Sequence, residues 1–199
     1  MTAFDYPPTA LSRRHGPQGY ADYPSYRPWL RDEFTFRCVY CLKREQWGVV
    51  SGDFDVDHFE AQAKSPGRAV DYDNLLNACH SCNLRKSGHA VPDPCVCLTA
   101  GQVRVAPDGS IEGQSDDAER IILTLGLNSE KYKNFRLTWL RNVELAMAYD
   151  REQFLSLMCF PADAPDLSRL RPPGGNSRPD GVNQSHYARR QRGELPETY

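Results

Sequence analysis

Over the first hundred residues the apolar positions come in short bursts, and they settle into sustained helical spacing only after residue 115. Residues 1–26 mix Pro, Tyr and Gly without a period and read as an N-terminal arm without regular structure that lies over the domain or orders on a partner. A short helix is expected from Arg27, with Pro28 in its first turn and Trp29, Leu30 and Phe34 near one face. Two short strands are expected at 47–50 (WGVV) and 54–56 (FDV), joined by a turn at 51–53. After the loop carrying Ser65, Pro66 and Gly67, a helical segment is expected from Asp73 through Asn83 to about Lys86, with Gly88 as its stop.

Val103 and Val105 alternate with polar residues before Pro107, Asp108 and Gly109, which predicts a hairpin returning through Ile111. Ser115, followed by Asp116 and Asp117, starts a helix that ends near Gly126. A long helix then runs from about Ser129 to about Met158. Its stripe of Tyr132, Phe135, Trp139, Val143, Ala146, Met147 and Phe154 is read as core packing. Beyond Phe160 few apolar residues remain, and residues 187–192 form the most basic cluster. These breaks divide the chain into an arm (1–26), a compact core (27–92), a hairpin with two helices (93–160) and a Pro/Gly/Arg-rich tail (161–199).

Cysteine spacing adds the first chemistry. Cys38 with Cys41 and Cys79 with Cys82 are two Cys-x-x-Cys pairs 38 positions apart, each able to supply half of a tetrahedral shell. Four sulfur ligands leave no open position, so a structural Zn²⁺ is expected, stapling distant segments of a small module. The total of seven cysteines is odd, and paired spacing in a reducing compartment points to metal rather than disulfides. Cys159, in an apolar run, reads as a buried thiol, while Cys95 and Cys97 have no assigned role.

Between the two pairs stand Asp57, His58 and Asn74, with Asn83 just after the second. Hydrolysis of a phosphodiester near neutral pH needs a base to activate water and a cation to stabilise charge. His58 suits the first task, and the oxygen ligands of Asp57 and Asn83 suit a hard ion such as Mg²⁺ or Mn²⁺. Neighbours on an ideal strand point to opposite faces, so Asp57 and His58 can serve one site only if the strand ends there. The carboxylates Asp53, Asp55, Asp71 and Asp73 read as solvated loop charge, and Glu60 as a second choice of metal ligand.

This constellation resembles the HNH endonuclease family over roughly residues 36–90. The resemblance implies an α+β fold: a zinc-stapled ββα-metal core, here followed by the hairpin and helical extension. It places Asp57 and His58 on the second strand, Asn74 in the connection and Asn83 on the helix. It further implies that His58 is the general base, that Asp57 and Asn83 hold the catalytic ion, and that Asn74 braces the site loop. Products with 5′-phosphate and 3′-hydroxyl ends are implied too. Lys86 and Arg85 are candidate phosphate contacts.

A net charge of −2 and a pI of about 6.2 exclude an overall positive field, so any DNA contact is expected from a local patch, a metal or a partner. No stretch approaches the roughly 18 apolar residues of a membrane span, and no leader is visible, which suggests a cytoplasmic protein. Similarity to the effector nucleases of bacterial antiphage defence implies a DNA-cutting enzyme controlled by a partner ATPase or sensor. The alternative is a zinc module without catalytic activity that binds nucleic acid or protein, its Asp, His and Asn residues merely capping turns.

Overall fold

A computed structural model describes residues 3–48 and 53–199. The first helix, α1 (Arg27–Glu33), forms as expected, with Pro28 in its first turn and Trp29 and Leu30 buried. Strand β1 (Phe54–His58) pairs antiparallel with β2 (Leu75–Cys79), in a register running from Phe54 opposite Cys79 to His58 opposite Leu75. Helix α2 (His80–Lys86) follows β2 directly. The order strand, strand, helix therefore holds, with the expected strand at 54–56 extended to form β1 and its partner β2 drawn from the start of the expected helix. Of the expected first strand, Trp47 lies in a 3-10 turn (Glu45–Trp47), and Val49 and Val50 are outside the described residues, as are Ser51 and Gly52 of the turn.

Asp73 and Asn74, expected to open a helix, lie in a 3-10 turn (Tyr72–Asn74), and the next five residues are strand. All five residues of β2 are buried. A strand covered on both faces shows no alternation, which makes a run such as LLNAC look the same in either state. The helix stops at Ser87, which takes a left-handed φ of 46° and returns its amide to the Asn83 carbonyl at 2.9 Å.

The C-terminal half begins with α3 (Pro94–Cys97), followed by the hairpin of β3 (Val103–Val105) and β4 (Ile111–Gly113). Its turn uses Gly109 at φ 79°. In α4 (Asp116–Leu125) the Ser115 hydroxyl caps the N-terminus by accepting the Ala118 amide, and Gly126 closes the helix in the left-handed conformation. The expected long helix is two: α5 (Glu130–Tyr149) and α6 (Arg151–Met158). Asp150 separates them because its carboxylate accepts the Gln153 amide at 2.9 Å, starting a new helix. Tyr132, Val143 and Ala146 of the stripe are buried, and Phe135, Trp139 and Phe154 pack against the core. Met147 is instead exposed.

Both ends of the chain lie on this core. In the arm, Ala3, Phe4 and Tyr6 are buried, so it lies over the core, and only the 3-10 turn at Tyr23–Tyr26 adds regular structure where none was expected. Gln18 and Gly16 exchange backbone hydrogen bonds with the stretch at 174–177. The C-terminal segment carries α7 (Asp180–Asn183) and α8 (His186–Gln191) and buries Tyr199. Asp32 of α1 joins both ends, accepting from His15 Nε2 at 2.8 Å and from the ring and amide of His186 at 2.9 and 2.7 Å. Burial alone would raise the Asp32 pKa, but hydrogen bonds from the two histidines and the nearby Arg14 charge override it. They hold the carboxyl well below its usual range. Among the described residues, no helix is long and apolar enough to cross a membrane.

Candidate metal and nuclease site

The two Cys-x-x-Cys pairs converge because one sits in a tight loop and the other spans a strand–helix junction. Cys38 donates its amide to Lys43 and accepts from Leu42, whose φ of 58° turns the chain back. Cys79 ends β2 and Cys82 lies in the first turn of α2. All four sulfurs are buried and within 4.8 Å of one another. Cys41 Sγ and Cys79 Sγ are 3.7 Å apart. A tetrahedral ion with Zn–S bonds of about 2.3 Å spaces its sulfurs at roughly 3.8 Å, so the donor set fits zinc. Hydrogen bonds from Cys38, Cys41 and Cys82 drive the Cys79 thiol far down, while contact with Cys38 and Cys79 drives Cys41 up. Four thiolates this close ionise together only around a cation.

Helix α5 buttresses the cluster. The Tyr132 hydroxyl lies 3.2 Å from Cys82 Sγ. Arg136 is fully buried, donates to the Leu127 carbonyl at 2.6 Å, and sits in the field of Cys41 and Cys82. A zinc ion with four thiolates would carry two negative charges, part of which Arg136 would offset inside the core.

On the face that β1 presents to α2, two carboxylates are matched to two helix positions one turn apart. Asp55 accepts from the Asn83 amide nitrogen and faces His80 Nδ1, both at 2.9 Å. Asp57 is buried and accepts from Lys86 Nζ at 3.0 Å and from the Tyr40 hydroxyl at 2.7 Å. Burial pushes the Asp57 carboxyl up, and the Lys86 charge and the Tyr40 hydrogen bond offset part of the rise. Since the Asn83 nitrogen is committed to Asp55, the amide oxygen is left as the acceptor that a hard cation prefers.

His58 closes the other face at the end of β1. Its Nε2 lies 2.9 Å from the Ala69 carbonyl, and a carbonyl can only accept, so this nitrogen carries the proton. Nδ1 is then the basic nitrogen. The Gln62 side-chain nitrogen is placed 3.1 Å from the same Nε2, and since two donors cannot pair, the Nε2–H form requires the Gln62 amide to turn its oxygen to the ring; the ring of Tyr23 packs edge-to-face at 4.8 Å. Asn74 holds the loop that supplies Ala69: its oxygen accepts the Glu60 amide at 2.8 Å, and its nitrogen donates to the Glu60 and Arg68 carbonyls at 3.1 Å.

Against this geometry, residues 38–88 match the family model described as HNH endonuclease. That segment is an HNH endonuclease domain. No curated protein matches the chain. The domain accounts for the pairing of a four-cysteine cluster with a β1–β2–α2 unit, and its limits enclose every cysteine of the cluster together with Asp57, His58, Asn74 and Asn83.

Within the HNH domain, the sequence-based candidates are distributed unevenly. His58 stands at the strand end, as adjacency to Asp57 required, and Asn74 spans its loop. Asn83 reaches Asp55 rather than Asp57, and Asp57 reaches Lys86. Lys86, expected to touch phosphate, is instead wholly buried, because the Asp57 carboxylate and the His58 carbonyl hold its ammonium. Arg85 is on the exposed side of α2, with its guanidinium over the Tyr132 ring. His80 points outward to Asp55 and stays apart from the cysteines.

The surrounding carboxylates are also more engaged than solvated loop charge would be. Asp53 pairs with Lys43 and Asp73 with Arg178, Asp71 caps a turn, and Glu60 is tied to Arg68 and Ser65. Among the described residues, no second group of three His, Cys, Asp or Glu side chains gathers as the cysteines do. Sequence reasoning missed Tyr40, Gln62, Tyr23 and Arg136. Only Tyr40 carried a signal, lying between two expected ligands.

Proposed function

We propose that this chain is a metal-dependent endonuclease that hydrolyses DNA phosphodiester bonds, with His58 as general base. The observation that carries the reading is the 2.9 Å approach of His58 Nε2 to the Ala69 carbonyl, an acceptor that calls for the Nε2–H tautomer and leaves Nδ1 to take a proton. His58 removes a proton from water, the resulting hydroxide attacks phosphorus, the bond to the 3′ oxygen opposite breaks, and that oxygen takes a proton from solvent to leave as the 3′-hydroxyl. Asp57 and Asn83 would hold a divalent ion, Mg²⁺ or Mn²⁺, which when bound supplies positive charge beside the phosphate and the leaving oxygen. Asn74 keeps the Ala69 loop in place, Arg85 contacts the backbone phosphates, and the four cysteines hold Zn²⁺ as a structural ion.

The chain acts in the cytoplasm as an effector of a bacterial defence system, released or recruited by a partner ATPase or sensor. Support for this part is the net charge of −2 and the pairing of basic side chains such as Arg31, Arg178 and Arg192 with carboxylates, which weakens the positive field available for DNA capture without help. In a test with supercoiled and single-stranded DNA plus Mg²⁺ or Mn²⁺, the wild type should nick and His58→Ala should not, at equal zinc content. Cleavage that persists in His58→Ala would sink the assignment of the base. DNA binding without cleavage, unchanged by the substitution, would favour a binding module.

A further inference from the structure

This inference rests on the nuclease reading of His58 and concerns what holds its ring. Both polar contacts of the imidazole meet at one atom: the Ala69 carbonyl at 2.9 Å and the Gln62 amide at 3.1 Å both face Nε2. A ring tethered at a single nitrogen can still rock about it, so something else must set where Nδ1 lies. The ring of Tyr23 is the aromatic group packed against the imidazole. Its centroid is 4.8 Å from that of His58 with the planes at 79°, the edge-to-face arrangement that aromatic pairs favour.

Burial does not explain this placement, because Tyr23 is 36 % exposed. The local chain does. Asp22 caps the 3-10 turn, accepting the Ser25 amide and hydroxyl at 3.0 Å, and Pro24 restricts the backbone within it. Tyr26, one face of the same turn, is buried between Tyr20 and Tyr72. Arg27, the next residue, donates to the Phe54 carbonyl at 2.6 Å and so joins the turn to the start of β1. Tyr23 is thus fixed relative to the strand that ends in His58, although it lies outside the HNH domain at 38–88.

We propose that Tyr23 is a positioning residue for His58: its ring is the wall that keeps the imidazole with Nε2 on Ala69 and Nδ1 free. The N-terminal arm is then part of the nuclease site. Tyr23→Ala should lower kcat for DNA cleavage by about tenfold or more, as expected when a reacting group is misplaced. KM should stay within about twofold, because no substrate contact is lost. Tyr23→Phe keeps the ring and should restore kcat. Zinc content and thermal midpoint should match the wild type in both variants.

Unchanged kcat in Tyr23→Ala would overturn the proposal, as would a rise in KM alone or a failure of phenylalanine to rescue. A second readout is independent of cleavage. At a pH of about 8, above the usual histidine range, the ¹⁵N shifts of the His58 imidazole should report the Nε2–H tautomer alone in wild type and Tyr23→Phe. In Tyr23→Ala they should report a mixture. Were the wild type not to cut DNA, the nuclease reading would fall, while this measurement would still decide the role of Tyr23. An unmixed tautomer in Tyr23→Ala would reject it.

Discussion

Lys86 shows how a single side chain changes meaning between sequence and structure. A lysine near the end of a short helix beside asparagine reads as a phosphate contact, but its ammonium is enclosed by Asp57 and the His58 carbonyl. Removing one member of a buried pair costs more than the pair contributes, since the survivor stays charged without a partner. Lys86→Ala is therefore expected to destabilise the fold by about 3–5 kcal/mol, read from the shift in urea midpoint. Restoring Asp57→Asn in the same chain should recover part of that loss, because the orphaned charge is then gone. A loss in Lys86→Ala below about 1 kcal/mol, with weaker DNA binding, would return the residue to the phosphate contacts.

At the scale of elements, periodicity worked where one face of an element is wet. The hairpin, α4 and the buried side of α5 were legible because polar residues punctuate the apolar ones. The strand β2 was not, since both its faces are covered. The division of α5 from α6 was missed for another reason: Asp150 continues a helical pattern in composition, and only its capping bond shows the break. Asp150→Ala should cost about 1 kcal/mol of stability, and substitution by glycine, which caps passably, only a few tenths. Chemical denaturation of the two variants would show equal losses if the cap were unimportant. Within the site, the cysteine spacing and the adjacent Asp57 and His58 carried a recognisable pattern. Tyr23 could not be found that way, because it meets His58 from a distant part of the chain, and Gln62, though four residues from His58, belongs to no recognisable spacing.

For the whole molecule, the unusual feature is a charged centre that joins its two ends. Asp32 sits with no exposure between His15 and His186, and its folded pKa lies below that of an unfolded aspartate, near 3.9. A depressed carboxylate contributes stability in full above its unfolded pKa and loses it as pH falls through the folded value. The wild type should therefore lose stability in acid below about pH 4 through this group. In Asp32→Asn the gap from wild type should be wide at pH 7 and narrow on acidification. A gap that stayed constant with pH in urea titrations would show that Asp32 acts through hydrogen-bond geometry alone.

The clasp between Gly16 or Gln18 and residues 174–177, together with the His15–Asp32–His186 centre, also sets a timetable for synthesis. A chain emerging from the ribosome grows from its N-terminus, and its segments fold as they appear. The cysteine cluster can close once residue 82 is out, but Asp32 lacks one of its two histidine partners until residue 186 has been made. The clasp at Gly16 and Gln18 is thus closed last, whereas Tyr23 is already held through the Tyr26–Tyr72 and Arg27–Phe54 contacts. The cysteine cluster can therefore close well before the Asp32 centre is complete.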